Sequence, residues 1–360
     1  MVMPRALSPA DFLALRAERP VLDVRSPAEY TQGHIPGAVN WPLFTDEERA
    51  RVGTLYKQQG QWAAFLLGLR IVGPKLEGLV RQAHKWAPHR RVALHCWRGG
   101  QRSQSLAWLL EQAGFEVALL ANGYKNYRQH VLSTFEQGRW PILILGGKTG
   151  AGKTKILHAL RRLGEQVIDL EGLAHHKGSA FGSIGEAPQP TSEQFENELC
   201  DALCQLDPRR RVWIENESRT IGRVYIPQGL WEQMKRAPLL HIEVPHKYRL
   251  QNLIADYATA PIAELEAAFR RIEKKLGGLR LKTALEALHA GDFATAAEMA
   301  LAYYDKTYEH ERQSRELSLV YSLEVSCAEP EETARLCQQW ADDYQLSPVA
   351  YALNLPVSSR

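Results

Sequence analysis

Apolar runs of strand length alternate along the chain with segments of helical spacing. The runs 21–25, 92–95 and 116–120 read as strands. Between the last two, residues 103–113 are apolar at Leu106, Leu109 and Leu110 and stop before Gly114, which is helical spacing with a glycine C-cap. Strand, helix, strand predicts a parallel sheet. A second series starts near Pro141, with strands over 142–145, 167–170, 212–214 and 239–244 and a helix over 156–163 before Gly164. Residues 255–302 are rich in Ala and Leu at helical spacing, and the pattern after about 330 is the weakest. There is no convincing internal repeat. The expected architecture is α/β in two units: a parallel-sheet domain over 1–135, a linker over 136–141, and a second α/β domain over 142–360 with a helical lid or extension around 250–302.

Composition supports two domains and narrows the partners. The chain has 360 residues, and one core rarely grows beyond about 250 to 300. Apolar residues make up 45% and charged residues 24%, which excludes fibrous and disordered classes. With 44 Lys plus Arg against 41 Asp plus Glu, the +3 balance excludes binding by bulk positive charge but not a local basic patch. No uncharged apolar run reaches the roughly 20 residues of a membrane span. With no basic-then-apolar start and five cysteines in a long chain, the expectation is a reducing, cytoplasmic setting where a conspicuous Cys is reactive rather than bridged.

That Cys is Cys96. The run His95-Cys96-Trp97-Arg98-Gly99-Gly100-Gln101-Arg102-Ser103 lies between a predicted strand and a predicted helix. Backbone N–H groups at a helix N-terminus favour an anion and activate a thiol. Gly99 and Gly100 permit a tight cradle, and Arg102 adds a fixed positive charge. The competing reading is an inert Cys at a strand end.

The stretches Asp23-Val24-Arg25-Ser26-Pro27-Ala28-Glu29-Tyr30 and Gly33-His34-Ile35-Pro36-Gly37-Ala38-Val39-Asn40, taken with the Cys96 loop, resemble the rhodanese family over roughly residues 5–130. That resemblance implies a loop Cys carrying sulfur or selenium. Five residues separate Cys96 from Arg102, one more than the usual sulfurtransferase loop, and this spacing also resembles the cysteine phosphatase signature. The wider cradle would admit a tetrahedral phosphate or selenophosphate.

In the second unit, Gly147-Lys148-Thr149-Gly150-Ala151-Gly152-Lys153-Thr154 fits G-x-x-x-x-G-K-[ST] after a predicted strand and before a predicted helix. Its N–H groups would cradle a diphosphate, Lys153 would neutralise the terminal phosphate, and Thr154 could ligate Mg²⁺. Asp169, placed inside the following strand, and Glu215, after 212–214, are candidates for a carboxylate near Mg²⁺ or the diphosphate. A Glu where Asp is usual argues against ordinary nucleotide hydrolysis.

Together with Asp169 through Gly182, Ser192 through Asn197 and Trp213 through Gly222, the whole pattern resembles the tRNA 2-selenouridine synthase family. The resemblance implies a rhodanese-like domain followed by a P-loop NTPase-like domain with a helical C-terminal part. It implies a transferase that geranylates wobble 2-thiouridine in the tRNA anticodon and replaces the sulfur with selenium. Selenophosphate and geranyl diphosphate would be co-substrates, Cys96 would carry a perselenide, and a selenophosphate-supplying enzyme is an implied partner. No dedicated metal site is expected. The residues alone leave open a sulfurtransferase or phosphatase fused to a P-loop kinase, or a non-catalytic RNA-binding regulator.

Candidate tRNA contacts are Arg270, Arg271, Lys274, Lys275, Arg280 and Lys282, with Gly277 and Gly278 as a hinge, and a second cluster is Arg209 to Arg211. A solvated surface is the alternative for each. Cys200 and Cys204 read as core, as do Trp41, Trp62 and Trp108, while Trp97 would stack on a base or shield the cradle. His175 and His176 make a poor metal pair, and Cys327 and Cys337 carry no assigned role.

Overall fold

The computed structural model describes residues 5–312, 319–326 and 329–344; Cys327 lies outside them. The chain divides into two compact units, Met1–Thr134 and Phe135–Arg360.

The first unit comprises β1 (Arg5–Leu7), α1 (Pro9–Ala14), β2 (Val21–Asp23), α2 (Pro27–Gln32), β3 (Val39–Asn40), α3 (Asp46–Val72), α4 (Leu76–Trp86), β4 (Arg91–His95), α5 (Gln101–Gln112), β5 (Glu116–Leu120) and most of α6 (Gly123–Gln137). The strands form one sheet in the order β1-β5-β4-β2-β3, parallel throughout. Buried runs on β2, β4 and β5, with helices on the faces, are what a parallel sheet requires. The chain leaves β2 toward one edge and β4 toward the other. The crevice for a ligand therefore opens between these two strand ends.

The second unit comprises β6 (Ile142–Gly147), α7 (Lys153–Arg162), β7 (Gln166–Ile168), α8 (Leu170–Ala174), α9 (Ser192–Cys204), β8 (Val212–Glu215), β9 (Thr220–Ile221), β10 (Val224–Tyr225), α10 (Gln228–Arg236), β11 (Leu239–Glu243), α11 (His246–Tyr257), α12 (Ile262–Arg271), α13 (Glu273–Leu276), α14 (Gly278–His289), α15 (Phe293–Arg312), β12 (Val320–Glu324) and α16 (Pro330–Asp343). Its main sheet is parallel in the order β12-β11-β6-β8-β7, and β9 and β10 form a small antiparallel hairpin. Beyond the sheet, α12, α14 and α15 enclose a separate apolar cluster that includes Phe181, Leu265, Phe269 and Leu288.

Several expectations change. Trp41 is fully buried, but Trp62 is 71% and Trp108 52% exposed. On α5 the buried positions are Ser103, Leu106, Ala107 and Leu110, and a 3.6-residue period turns Trp108 away from them. Trp62 sits on α3, which is broken at Gly60 (φ +85°) and buries only Ala64. Cys200 is buried as expected, whereas Cys204 is exposed. Asp169 is not inside a strand: β7 ends at Ile168, and Asp169 caps α8 by accepting from the Gly172 amide at 2.7 Å. The weakly patterned C-terminal stretch supplies an edge strand, β12, and a helix, α16, whose Ala334 and Cys337 complete the core over α7.

Candidate functional site

Cys96 follows β4 directly and is nearly buried. The loop carrying it turns at Gly99 (φ +65°) and ends at Gly100, the N-cap of α5. The Ser103 hydroxyl, in the first turn of α5, donates to Cys96 Sγ at 3.2 Å. A second helix braces the loop from behind. The Tyr124 amide donates to the Cys96 carbonyl at 2.8 Å, and the Lys125 amide to the Trp97 carbonyl at 3.0 Å. This approach needs Gly123, whose φ is +62°, because a Cβ there would clash with the Cys96 carbonyl oxygen.

Under the loop lies a buried polar core. Arg25 donates to both oxygens of Asp23 and to the Gly33 carbonyl, with its guanidinium 3.7 Å from the centre of the Tyr124 ring. Burial works against the Asp23 charge, yet His95 and Arg25 hold its carboxyl below the usual range. His95 is fully buried, and that burial pushes its pKa down to about 4, so the ring is neutral at pH 7. These residues position the loop rather than face a ligand.

Arg102 differs from its expected role. It is held by Glu29 through Nη1 at 2.6 Å and Nη2 at 3.2 Å. Burial opposes the Glu29 charge, but the Arg102 pair keeps that carboxyl below its ordinary range. The Arg102 charge thus comes with a fixed counter-charge, and Arg98, the amides and the α5 N-terminus remain as the loop's other anion-binding groups. Arg98 and Gln101 are exposed, and Trp97, 36% exposed, lies beside Tyr124 with ring centres 5.7 Å apart. Trp97 thus rests on Tyr124 with part of its ring open to solvent.

In the second unit, residues 147–152 turn from β6 into α7, with Gly150 (φ +81°) and Gly152 (φ +77°) left-handed. Lys153 Nζ donates to the Gly147 carbonyl at 3.4 Å, folded back over the loop. The loop's outer carbonyls are held from α11. Arg249 donates to Thr149 and Asn252 to Gly150, both at 2.9 Å, and Arg249 is paired with Asp305 on α15. The loop faces a cavity of about 620 Å³ lined by Lys153, Thr154, Asp169, Glu171, Lys177 and Glu217 among others.

The carboxylates of this cavity divide by role. Thr154 Oγ1 donates to Glu171 Oε2 at 3.1 Å. Glu215 is buried, and its Oε1 accepts from the Glu171 amide at 2.7 Å while Oε2 lacks a hydrogen-bond partner. Burial, then Asp169 and Glu171, push the Glu215 pKa up to about 8. Burial and Glu171 push Glu217 well above the carboxylate range, against the pull of Lys153. Asp169 is taken up by the α8 cap and by His158, 2.8 Å away. Glu171 is therefore the carboxylate beside the Thr154 hydroxyl, and Asp169 and Glu215 stand behind it. Sequence reasoning missed Glu171 and Glu217, although both flank residues it singled out. Among the described residues no cluster of three or more His, Cys, Asp or Glu would by itself hold a metal. Mg²⁺ draws most of its ligands from water and phosphate, and Thr154 with Glu171 fits that requirement.

The basic clusters also divide. Arg211 pairs with Glu165 and Asp342, and Arg210 donates to the Gly164 carbonyl, so these two residues of the second cluster tie loops together. In the first, Arg270 pairs with Glu266 and Arg271 donates to the Ala180 carbonyl, while Lys282 lies 3.8 Å from Glu286. Lys274, Lys275 and Arg280 are exposed on α13 and α14. No helix among the described residues is long and apolar enough to cross a membrane.

A parallel α/β unit bearing a cysteine anion loop, followed by one bearing a phosphate loop, defines a rhodanese-like and P-loop two-domain protein. Family profiles agree: residues 8–130 match the rhodanese-like domain, and 140–329 match the tRNA 2-selenouridine synthase AAA domain. The chain belongs to the tRNA 2-selenouridine synthase family. Curated relatives of that name include one from Bdellovibrio bacteriovorus, 35% identical over 84% of this chain and 91% of the relative. Another, from Bordetella bronchiseptica, is 36% identical over 87% and 94%. A third, from Nitrosomonas europaea, is 40% identical over 69% of this chain and 66% of the relative.

Proposed function

We propose that the chain is a transferase of selenium-containing groups that converts wobble 2-thiouridine of tRNA to 2-selenouridine in two displacements. In the first, the thione sulfur attacks C1 of geranyl diphosphate. The C1–O bond breaks with its electron pair leaving on diphosphate, and the uracil ring loses a proton. In the second, selenium at the selenide level attacks C2 of the pyrimidine, the P–Se bond of selenophosphate breaks as water takes the phosphoryl group to give phosphate, and the S-geranyl group departs as geranyl thiolate. Neither step changes an oxidation level, so Cys96 acts here as a thiol beside the donor rather than as the perselenide the resemblance implies, whose formation from selenophosphate would need a two-electron oxidant. Alkylation is useful because a thiolate leaves more readily than a sulfide dianion.

The observation that carries this reading is that one chain holds two anion loops of different chemistry. The loop in the first unit presents a thiol with a hydroxyl donating to it, suited to handling selenium from a phosphate-bearing donor. The loop in the second unit presents Lys153 and Thr154 to a cavity large enough for a diphosphate. Mg²⁺ at Thr154 and Glu171 would neutralise charge on the leaving diphosphate. Lys153 would do the same directly, and Glu217, held neutral, would avoid repelling it.

Nucleosides from tRNA of cells lacking the protein, complemented with variants, test the reading by mass spectrometry. Cys96→Ser is expected to abolish selenouridine and accumulate S-geranyl-2-thiouridine. Lys153→Ala is expected to leave only 2-thiouridine. Normal geranylation in Lys153→Ala would sink the assignment of the P-loop, and normal selenation in Cys96→Ser would sink that of the thiol.

A further inference from the structure

Glu29 stands between two arginines, and we infer that it is a positioning residue for the cysteine loop: it gives up Arg102 to an oxyanion entering the loop and closes on Arg49 in exchange. The inference rests on reading that loop as the site of a phosphate-bearing donor. Three helices meet at this carboxylate. Glu29 lies in the first turn of α2, where it completes a capping box by accepting from the Ser26 amide at 3.1 Å. From α5, Arg102 donates through both terminal nitrogens, at 2.6 and 3.2 Å. From α3, Arg49 approaches without closing. Its Nε is 3.8 Å from Glu29 Oε2, is buried, and makes no hydrogen bond. A buried N–H without an acceptor is costly, so this donor gains from any acceptor that comes within reach. A shift of about 1 Å would bring the two to hydrogen-bond distance. The start of α3 is tied to α2 beside the pair, because Asp46 accepts from the Ala28 amide at 2.9 Å. Gly53, one turn along α3, makes room for the Arg49 guanidinium, which a Cβ at that position would crowd.

The arrangement matters because Arg102 belongs to the first turn of α5, at the anion-binding end of the loop. A tetrahedral oxyanion suits the two arms of a guanidinium fork, and here Glu29 holds both arms. An incoming oxyanion therefore competes with that carboxylate. With no second cation, releasing Arg102 would leave the half-buried Glu29 with only the Ser26 amide. Arg49 removes that penalty, because one ion pair forms as the other breaks and each charge keeps a partner. The exchange runs backwards as phosphate leaves, so Glu29 also keeps the loop from retaining it. Glu29 touches no reacting atom in this scheme; it acts through Arg102.

Alkylation of Cys96 by iodoacetamide tests the exchange while inorganic phosphate is titrated into the full chain. Followed on the Cys96 peptide by mass spectrometry, protection gives a dissociation constant for this loop alone, whatever phosphate does at the loop of the second unit. Glu29→Gln keeps the acceptor for the Ser26 amide and frees Arg102, so phosphate should bind about five-fold tighter or more. Arg49→Met withdraws the second partner and should weaken phosphate by a similar factor, and Arg49→Lys should restore it. In the Glu29→Gln background, Arg49→Met should change nothing. A merely structural Glu29 would give the opposite sign, because loosening the loop's support weakens its binding. Unchanged or weaker binding in Glu29→Gln overturns the exchange. So does an Arg49→Met constant equal to wild type, the result expected if Arg102 holds the anion and Glu29 together. If Glu29→Gln does not fold, the two Arg49 variants carry the test. Equal protection in every variant removes the exchange and leaves the loop reading standing, whereas no protection in any variant removes both.

Discussion

Glu215 and Gly123 each do something their residue type alone does not announce. Glu215 is held neutral in the fold, with a pKa near 8 against 4.5 for an unperturbed carboxyl. Between these values the folded chain binds a proton that the unfolded chain has lost, so stability falls as pH rises from about 4.5 to 8 and levels off above. Glu215→Gln keeps the acceptor for the Glu171 amide and removes the titration. It should therefore melt higher than wild type at pH 8 in metal-free buffer, with the gap closing near pH 5, as read by calorimetry. A constant gap across that range would place the effect elsewhere. Gly123→Ala combines a left-handed backbone with a clash against the Cys96 carbonyl, so it should cost about 1 to 3 kcal/mol in urea unfolding and lose selenation. Unchanged stability and activity would mean that the loop is not braced there. Cys96 and Lys153 are legible in the sequence because each short loop motif holds that residue type at one fixed place. Glu29 and Glu171 are not, because what makes them matter is a partner 73 and 17 positions away.

At the scale of elements, the same device serves both loops: a strand end, a glycine turn, a helix N-terminus and a second helix that grips the turn from outside. For the cysteine loop the grip is the start of α6, and for the phosphate loop it is Arg249 and Asn252 of α11. The strand–turn–helix portion was predicted from periodicity and glycine placement. The gripping helices were not assigned that role, because their contacts are long-range and polar, and neither leaves a periodic trace. The basic stretch also resolves at this scale. Its exposed cations Lys274, Lys275 and Arg280 sit on α13 and α14 around Gly277 (φ +89°), whereas Arg270 pairs with Glu266 and Arg271 donates to the distant Ala180 carbonyl. Replacing Lys274, Lys275 and Arg280 with Ala should weaken tRNA binding and lower the slope of log affinity against log salt by about 2 to 3, with melting unchanged. An unaltered slope would remove this surface from the tRNA footprint.

At the scale of the whole molecule, two doubly covered parallel sheets each place their chemistry beyond the C-terminal strand ends, as open α/β sheets do. The sequence pattern suggests a linker over 136–141, while the contacts divide the chain at Phe135, within α6, which runs on to Gln137. The proposed two displacements share one nucleoside but use different loops, so their losses should be separable. A mixture of Cys96→Ser and Lys153→Ala chains should restore selenouridine on tRNA in vitro, measured by nucleoside mass spectrometry. No restoration, with each variant folded, would require both loops on the same chain.

The sequence by itself determined the two α/β units, the thiol loop and the phosphate loop, because strand and helix periods and glycine-bearing motifs are local and read along the chain. Only the tertiary structure decided that Arg102 is neutralised by Glu29, that Glu171 rather than Asp169 stands beside Thr154, and that β12 and α16 finish the second core. It also brought Arg49 of α3 to the Glu29 carboxylate. These are facts about which side chains share space when distant segments pack, and burial, pairing and cavities arise only from that packing.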